Sequence, residues 1–536
     1  MKHVNRAIAL TCAALLTSLS AQAQHENHDH GASSSAAANS FGTVDFQTSC
    51  KPAVKDTFNR GLSLLHSFWF PESRAAFEEV LRADPQCAIA YWGITLTHWG
   101  NPFAGLRSQQ TIANGKATID KAQATGSPTP RERGYIDAVA ILFSNADPGT
   151  QRSRVVAYES AMEKVAAANP NDVEAKIFWA LAIAQAAPPE DKTFARQLKA
   201  GAILDPLFER MPNHPGLAHY IIHAYDVPPL ASKALPAARA YADIAPAVPH
   251  ALHMPSHTFT RVGMWQESVA TNLRSAETAE RAHEPGSVLH ALDYMTYAYL
   301  QMGMDSQAKA ALDRMMRLET PAAKANAFAA AAIPARYALE REQWAAAAQL
   351  PVVASPDMPH VEAMTRFARA VGAARSGRPA AVAPEVERLV ALRERALEMK
   401  DTYWAEIIDI QRRGADAWGL FAQGKKNEGI AAMRAAADAE DATEKSAVTP
   451  GPLAPAREML GFMLLEAGNA QEALVAFDAV IAKEPNRFLA LYGAGRAAEK
   501  AQQADRARRY YAQIVTICKD ASAERPELAY ARKMAT

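Results

Sequence analysis

The sequence predicts an all-α fold in which short helices stack in tandem into a superhelical array. Three observations favour this fold. Alanine is abundant and long β-branched runs are scarce, a composition typical of helices. Apolar residues recur at intervals of three and four, which places them on one helix face. Several residue types also recur at a constant interval of about 34 residues, which indicates a repeat architecture.

The first residues predict export. Lys2 and Arg6 form a short positive region, the apolar run 7–19 follows, and small residues then lead to Ala23. This pattern is typical of a secretory signal peptide over residues 1–23, with cleavage near Ala23. No later stretch is apolar over the roughly 18 residues that a spanning helix needs, so we expect no membrane span. The mature protein should be periplasmic or secreted.

Glycine, alanine, aromatic and proline residues at fixed offsets mark the repeat. One C-terminal unit contains Gly461, Ala473, Phe477 and Pro485. The next unit repeats the first three types at the equivalent positions, and an N-terminal unit has the same offsets at Gly61, Phe77 and Pro85. The pattern resembles the tetratricopeptide repeat, a helix–turn–helix unit of about 34 residues. That resemblance implies that the first helix of each unit lines the concave surface of the superhelix.

The repeat pattern also divides the chain. A flexible lead-in rich in His, Ser and Ala is expected at 24–50, and an N-terminal repeat array with a histidine-rich groove at 51–345. Degenerate helical pairs at 346–442 follow. A proline-containing linker at 443–455 then precedes the C-terminal repeats at 456–536.

Three cysteines remain after cleavage, namely Cys50, Cys87 and Cys518. In an oxidising compartment two of them can pair. Cys50 and Cys87 precede the first two inner helices, whose starts lie side by side in a stack of such units. We therefore predict a Cys50–Cys87 disulfide. Cys518 lies far along the array and should stay unpaired.

Two pairs of histidines stand one repeat unit apart. His219 and His223 are four residues apart, and His253 and His257 occupy the equivalent positions of the next unit. A spacing of four places both members of a pair on one helix face, and the repeat register directs that face into the groove. The same register adds three neighbouring groove positions: His250, His290 and Asp293. Two more residues, suited to orienting the ligands, fall beside them: Asp226 and Tyr297.

Converging imidazoles are typical of transition-metal sites. Imidazole suits Zn, Cu and Fe, and neighbouring helices pack closely enough for equivalent side chains to meet over one ion. We therefore predict a transition metal ion (Zn, Cu or Fe) bound by the four repeated histidines, with His250, His290 and Asp293 as completing ligands. Two histidines with Asp293 would leave open positions for substrate or oxygen. Four histidines alone would resemble a closed zinc or copper site.

Other functions stay open at this point. The groove can hold a peptide or a partner protein without metal, or the same histidines can form the open site of a metalloenzyme. The histidines can also be structural. The balance of 57 basic and 57 acidic residues argues against a nucleic-acid partner. The sequence contains no nucleotide-binding glycine loop and no serine or thiol nucleophile motif.

Histidines elsewhere carry weaker signals. Those of 24-QHENHDH-30 follow the predicted cleavage site and can gather metal loosely. His66 and His98 stand among aromatic residues, where we expect core or groove contacts. His214 lies in a Pro-Asn-His-Pro turn and is interpreted as a capping residue.

The stretch 245-APAVPHALHMPSHTF-259, preceded by an H-x3-H pair, resembles a group of exported bacterial tetratricopeptide proteins that share this form. The resemblance implies the fold and the exported compartment. The group has no assigned activity, so the resemblance implies no reaction.

Overall fold

Helices form the regular structure, as the alanine-rich composition predicts. The computed structural model describes residues 39–521 and 525–535, and within them every regular element is a helix and no strand occurs. The predicted all-α fold is therefore confirmed. The predicted signal peptide at 1–23 and the histidines of 24–30 lie outside the described residues.

The helices are numbered here in chain order and are given in three consecutive sets. The first set is α1 (Lys55–His66), α2 (Phe70–Ala83), α3 (Ala88–Trp99), α4 (Gln109–Thr125), α5 (Pro130–Leu142), α6 (Gln151–Ala168), α7 (Val173–Gln185) and α8 (Ala195–Arg210). The second is α9 (Pro215–Ala224), α10 (Leu235–Ile244), α11 (Pro249–His253), α12 (Pro255–Arg261), α13 (Trp265–Arg281), α14 (Pro285–Gln301), α15 (Asp305–Met316), α16 (Ala322–Ala325), α17 (Ala327–Glu340) and α18 (Trp344–Ala347). The third is α19 (Pro359–Arg375), α20 (Val382–Glu398), α21 (Thr402–Ala422), α22 (Lys426–Asp441), α23 (Ala456–Glu466), α24 (Ala470–Lys483), α25 (Phe488–Lys500), α26 (Ala504–Ile517) and α27 (Pro526–Met534). Short 3₁₀ turns lie at Asn39–Phe41, Pro52–Val54, Pro148–Thr150, Ala231–Ala234 and Pro379–Ala381.

Consecutive helices pack against each other along the chain, as in a stack of helix–turn–helix units. Glycines at the contacts between these helices explain how closely the helices approach. A Cβ added at Gly93 would lie 2.4 Å from the ring of Phe77, and one added at Gly493 would lie 2.3 Å from the ring of Phe477. Such distances are too short for any larger residue without movement of the ring. Glycine therefore lets each aromatic ring fill the space between two helices.

The C-terminal helices return to the middle of the chain, so the described residues form one compact unit. Buried ion pairs join the distant parts. Arg487 bridges Glu340 and Glu458 at 2.6 and 2.7 Å, and Arg525 contacts Asp305 at 2.6 Å. The predicted segments 51–345, 346–442 and 456–536 are thus parts of one unit.

The predicted linker, residues 443–455, is called the crossing segment here. It contains no helix, and it lies against the histidine-bearing helices. Lys445 Nζ stands 3.4 Å from Asp226 Oδ2, and Arg336 donates to the carbonyl of Gly451 at 3.1 Å. Tyr294 donates to the carbonyl of Thr449 at 3.2 Å. The crossing segment therefore covers part of the surface that the repeats present.

Cys50 and Cys87 are joined by a disulfide, with their Cα atoms 4.9 Å apart. Cys87 is the N-cap of α3 and Cys50 precedes the turn that leads into α1, so the bond ties the starts of two neighbouring helices. Cys518 is buried and has no disulfide partner among the described residues. No described helix combines the length and the apolar character that crossing a membrane requires.

Thiol counting tests the pairing. In the chain that begins at Gln24, denatured without reductant, we expect one free thiol, from Cys518, and three after reduction. Reduction should also lower the free energy of unfolding by about 2–4 kcal/mol, because the bond closes a loop of 37 residues. Three thiols before reduction would contradict the disulfide.

Candidate metal centre

Four proline-initiated helices, α9, α11, α12 and α14, carry the groove histidines. Pro215, Pro249 and Pro285 each occupy the first turn of α9, α11 and α14, where the missing N–H costs no helical hydrogen bond. Every residue of α9 is buried, so His219 and His223 face the interior. Pro215 and Pro249 stand one repeat unit apart, so His219 and His253 each lie four residues after the proline of their helix.

His253 and His257 lie on two short helices rather than on one. Pro255 supplies no N–H to the helical ladder, and α11 ends at His253 while α12 begins at Pro255. Met254, between them, still has helical backbone angles of φ −54° and ψ −36°. The two histidines therefore keep their common direction, and both are 2% exposed.

The histidines gather into two groups of three. The first triad is His219, His223 and His250, and the second triad is His253, His257 and His290. Within each triad, one ring nitrogen from each residue lies within 4.8 Å of the others. The triads adjoin, since the rings of His223 and His257 have centroids 5.8 Å apart. The structure thus brings together all six predicted groove histidines.

Hydrogen bonds at Nδ1 fix which ring nitrogen is free. His219 Nδ1 donates to the carbonyl of His66 at 2.6 Å, and His257 Nδ1 donates to Asp226 at 3.0 Å. His253 Nδ1 donates to Oδ1 of Asn272 at 2.7 Å, while the Asn272 amide nitrogen donates to a backbone carbonyl. In a neutral imidazole the other nitrogen, Nε2, then carries a lone pair. This arrangement is typical of histidines that bind metal.

The free nitrogens of the first triad have no hydrogen-bond partner among the described residues. In the described part of the chain, Nε2 of His219, His223 and His250 is buried without any hydrogen-bond partner. In the second triad, Nε2 of His253 faces Nε2 of His257 at 3.1 Å. A pair of metal ligands at bonds of 2.0–2.1 Å and a tetrahedral angle would be about 3.3 Å apart. The His253–His257 pair is thus close to the spacing of bound ligands.

Burial keeps the imidazoles neutral. It lowers the pKa of His219, His223, His250 and His253 well below the ordinary value, and that of His290 to about 3. The pKa of His257 is lowered less, because the Asp226 carboxylate partly offsets burial. Near neutral pH, the lone pairs are therefore available for a metal ion.

Asp226 is held as a carboxylate. Burial alone would raise the pKa of Asp226, but Lys445 and Arg261 more than offset it and hold the pKa well below its usual range. Arg261 Nε donates to this carboxylate at 2.8 Å. Burial also lowers the pKa of Lys445 to about 8. Asp226 therefore lies where the sequence predicted an orienting residue, on Nδ1 of His257.

Two predicted residues lie apart from the triads. Asp293 pairs with Arg336 at 3.3 Å, and burial raises its pKa. Tyr297 donates to Glu484 at 2.9 Å and accepts from Arg487 at 3.2 Å, so it orients no histidine. Both belong to the contacts that hold α14 to the rest of the unit. The two-histidine, one-carboxylate arrangement considered for Asp293 is not formed.

Sequence reasoning missed several residues of the site. The hydroxyl of Tyr294 stands 3.3 Å from Nε2 of His257, and its ring meets that of His253 edge-on. Tyr294 follows His290 by four residues, so the helical spacing contained a signal for it. Phe68 and Phe103 pack on the first triad, with Phe103 stacked on His223 at 4.1 Å. No local sequence pattern predicts Phe68, Phe103 or Asn272 as residues of the site.

A second buried cluster, centred on Glu174, contacts the first triad through His66. Glu174 accepts hydrogen bonds from His66 at 2.9 Å and from His214 at 2.8 Å, and Tyr220 contacts the other nitrogen of His66 at 3.0 Å. His66 therefore makes core contacts, as expected. His214 occupies the N-cap position, but its side chain makes no cap hydrogen bond, so the capping interpretation was wrong. The cluster fixes His66, whose carbonyl accepts from His219.

Two cavities reach the triads. One of about 480 Å³ includes His250, His253 and His290 in its lining, together with Phe328 and Trp404. The other, of about 620 Å³, reaches His223 and Asp226. The histidine centre is therefore buried at its core but bordered by space that can admit small molecules.

The sequence matches no family model and no curated protein. Among solved structures, it is similar to the TPR domain of P58(IPK), with 11% identity over 90% of this chain and 98% of that one and a TM-score of 0.21. It is also similar to the human IFIT1 dimer with m7Gppp-AAAA, with 10% identity over 80% of this chain and 90% of that one and a TM-score of 0.35. Likenesses at these TM-scores carry no argument about function, so the fold rests on the helices themselves.

The Glu174 cluster predicts a particular pH dependence of stability. Burial would raise the pKa of Glu174, but His66 and His214 hold it far below its usual range. A depressed pKa stabilises the fold above the unfolded value of about 4.3, and this contribution is lost as pH falls towards the folded value. Glu174→Gln should therefore cost about 1–3 kcal/mol at neutral pH. It should also lose less additional stability than the wild type as pH falls below about 4.3.

Urea unfolding across this pH range measures both quantities, with Glu163→Gln as the control. Glu163 lies on α6 beside Lys199 at the surface, with half of its side chain exposed. That variant should follow the wild type. Equal acid sensitivity of Glu174→Gln and the wild type would show that the cluster has no such role.

Proposed function

We propose that this protein binds transition metal ions at two adjacent sites, one in each histidine triad. Each triad supplies three neutral nitrogen ligands from neighbouring helices. A triad also leaves a coordination position for water or another small ligand, as in three-histidine zinc sites. The proposal assigns the ligands as His219, His223 and His250 for one ion and His253, His257 and His290 for the other.

One observation carries the proposal. Nε2 of His253 and Nε2 of His257 lie 3.1 Å apart, while both Nδ1 hydrogens are donated to Asn272 and Asp226. Neither Nε2 then has a hydrogen to share, so two lone pairs face each other. A cation between them would convert this repulsion into two bonds. The Nε2 atoms of the first triad also lack a hydrogen-bond partner within the described residues, so they too are available to bind a cation.

The donor set favours particular metals. Neither triad contains a carboxylate or a thiolate, so Ca²⁺ and Mg²⁺, which take oxygen ligands, are disfavoured. Imidazole suits zinc, copper and iron, and copper has the highest affinity of these for a nitrogen site. We infer zinc or copper as the occupant, since iron sites with open positions usually include a carboxylate. Asp293, the candidate for that role, pairs with Arg336.

A groove that holds a peptide without metal is the alternative. The crossing segment works against it, because Lys445 and Thr449 already make contacts beside the triads. An extended peptide would have to displace these contacts. Export, inferred from residues 1–23, is part of the proposal and agrees with a disulfide at Cys50–Cys87.

Metal analysis of the untagged protein tests the proposal. We expect two ions per chain after equilibration with Zn²⁺ or Cu²⁺ and removal of excess metal. A strong chelator should remove them and lower the melting temperature, because an ion that binds only the folded state stabilises it. His250→Ala and His290→Ala should each reduce the content to one ion. These two are chosen because they are half-buried and border the cavity, so the fold should tolerate them.

His98→Ala is the matched control. His98 is half-buried beside Arg74, outside both triads, so its loss should leave two ions bound. Absence of bound metal, with a melting curve that a chelator does not change, would overturn the proposal. Equal metal content in the wild type, His250→Ala and His290→Ala would also overturn it.

A further inference from the structure

The cavity of about 480 Å³ touches both triads at once. Its lining includes His250 of the first triad and His253 and His290 of the second. The volume lies in the range of small-molecule sites. The larger cavity reaches only His223 among the six histidines. A molecule in the smaller cavity is therefore placed to reach either ion.

Aromatic rings form part of the lining of this cavity. The rings of His360 and Trp404 stack with centroids 4.0 Å apart and an interplanar angle of 9°, and Phe328 lies 5.9 Å from Trp404. Nδ1 of His360 is buried and has no partner among the described residues. Asp401, also in the lining, caps α21 by accepting from the backbone of Trp404. Such a wall favours a planar ring, because aromatic pairs gain energy beyond their buried area.

The charge of the centre favours an anionic donor atom. Two ions held by neutral imidazoles would bring positive charge into a buried place, which is costly unless it is balanced. Two of the nearby carboxylates already balance positive side chains, since Asp226 pairs with Arg261 and Lys445 and Asp293 pairs with Arg336. The open coordination positions should therefore take a negatively charged ligand from the cavity.

We propose that this cavity binds a single-ring aromatic molecule with an ionisable hydroxyl, a phenol or a catechol. Its oxygen takes the open position on the metal, and its ring lies against Trp404 and His360. The inference rests on the metal binding proposed above, since the oxygen needs an ion to hold it. It goes further by naming the class of ligand and the residues that select it.

Two probes separate the metal from the aromatic wall. The protein is reconstituted with Co²⁺, whose visible bands report on coordination, and titrated with 4-nitrocatechol or with azide. Both should perturb the cobalt bands. Trp404→Leu should weaken 4-nitrocatechol binding about tenfold, through the loss of ring contact, while azide affinity and cobalt content stay unchanged. Trp344→Leu, at a tryptophan that lines neither cavity, is the control and should leave both affinities unchanged.

Each negative result of these titrations leads to a different conclusion. If cobalt and azide bind but 4-nitrocatechol does not, the metal sites stand and the aromatic ligand is wrong. The same conclusion follows if 4-nitrocatechol binds the wild type and Trp404→Leu with equal affinity. If Co²⁺, Zn²⁺ and Cu²⁺ all fail to bind, the proposed function fails, and this inference fails with it.

Discussion

Two imidazole nitrogens, Nε2 of His253 and Nε2 of His257, face each other at 3.1 Å in the buried interior of the unit. Their Nδ1 hydrogens are committed to Asn272 and Asp226, so the facing nitrogens present lone pairs to each other. Repulsion between two facing lone pairs destabilises a buried contact. The surrounding charges hold the arrangement in place, because Arg261 fixes the carboxylate of Asp226 and so prevents it from turning away. The contact becomes favourable once a cation lies between the two rings.

The repeat architecture produces this contact. The groove helices α9, α11 and α14 begin with Pro215, Pro249 and Pro285, and the first two prolines are followed by histidines at equivalent positions. Pro255 interrupts one of these helices without turning it, which leaves the second pair of histidines aligned. The crossing segment, residues 443–455, then packs across the helices and limits access to two cavities. The repeat helices thus form the site, and the crossing segment restricts access to it.

The sequence was enough to predict the all-α fold and the convergence of the six histidines, because both follow from two short-range periods, the helical turn and the repeat unit. The partners of Asp293 and Tyr297 could not be predicted in this way. Asp293 pairs with Arg336 on α17, and Tyr297 pairs with Glu484 and Arg487, which lie in the turn between α24 and α25. Contacts at such separations depend on how the C-terminal helices return to the middle, and no local period encodes that return. The contacts of the crossing segment also join residues far apart in the chain, so the sequence predicted only a linker there.

Anomalous X-ray diffraction at the absorption edge of the bound metal tests the central claim most directly. Crystals of the metal-loaded protein should show two peaks, one bonded to His219, His223 and His250 and the other bonded to His253, His257 and His290. Each nitrogen should lie about 2.0–2.1 Å from its ion. Crystals in which both triads stay empty, or in which the metal occupies other residues while the Nε2 atoms of His253 and His257 still face each other, would contradict the account.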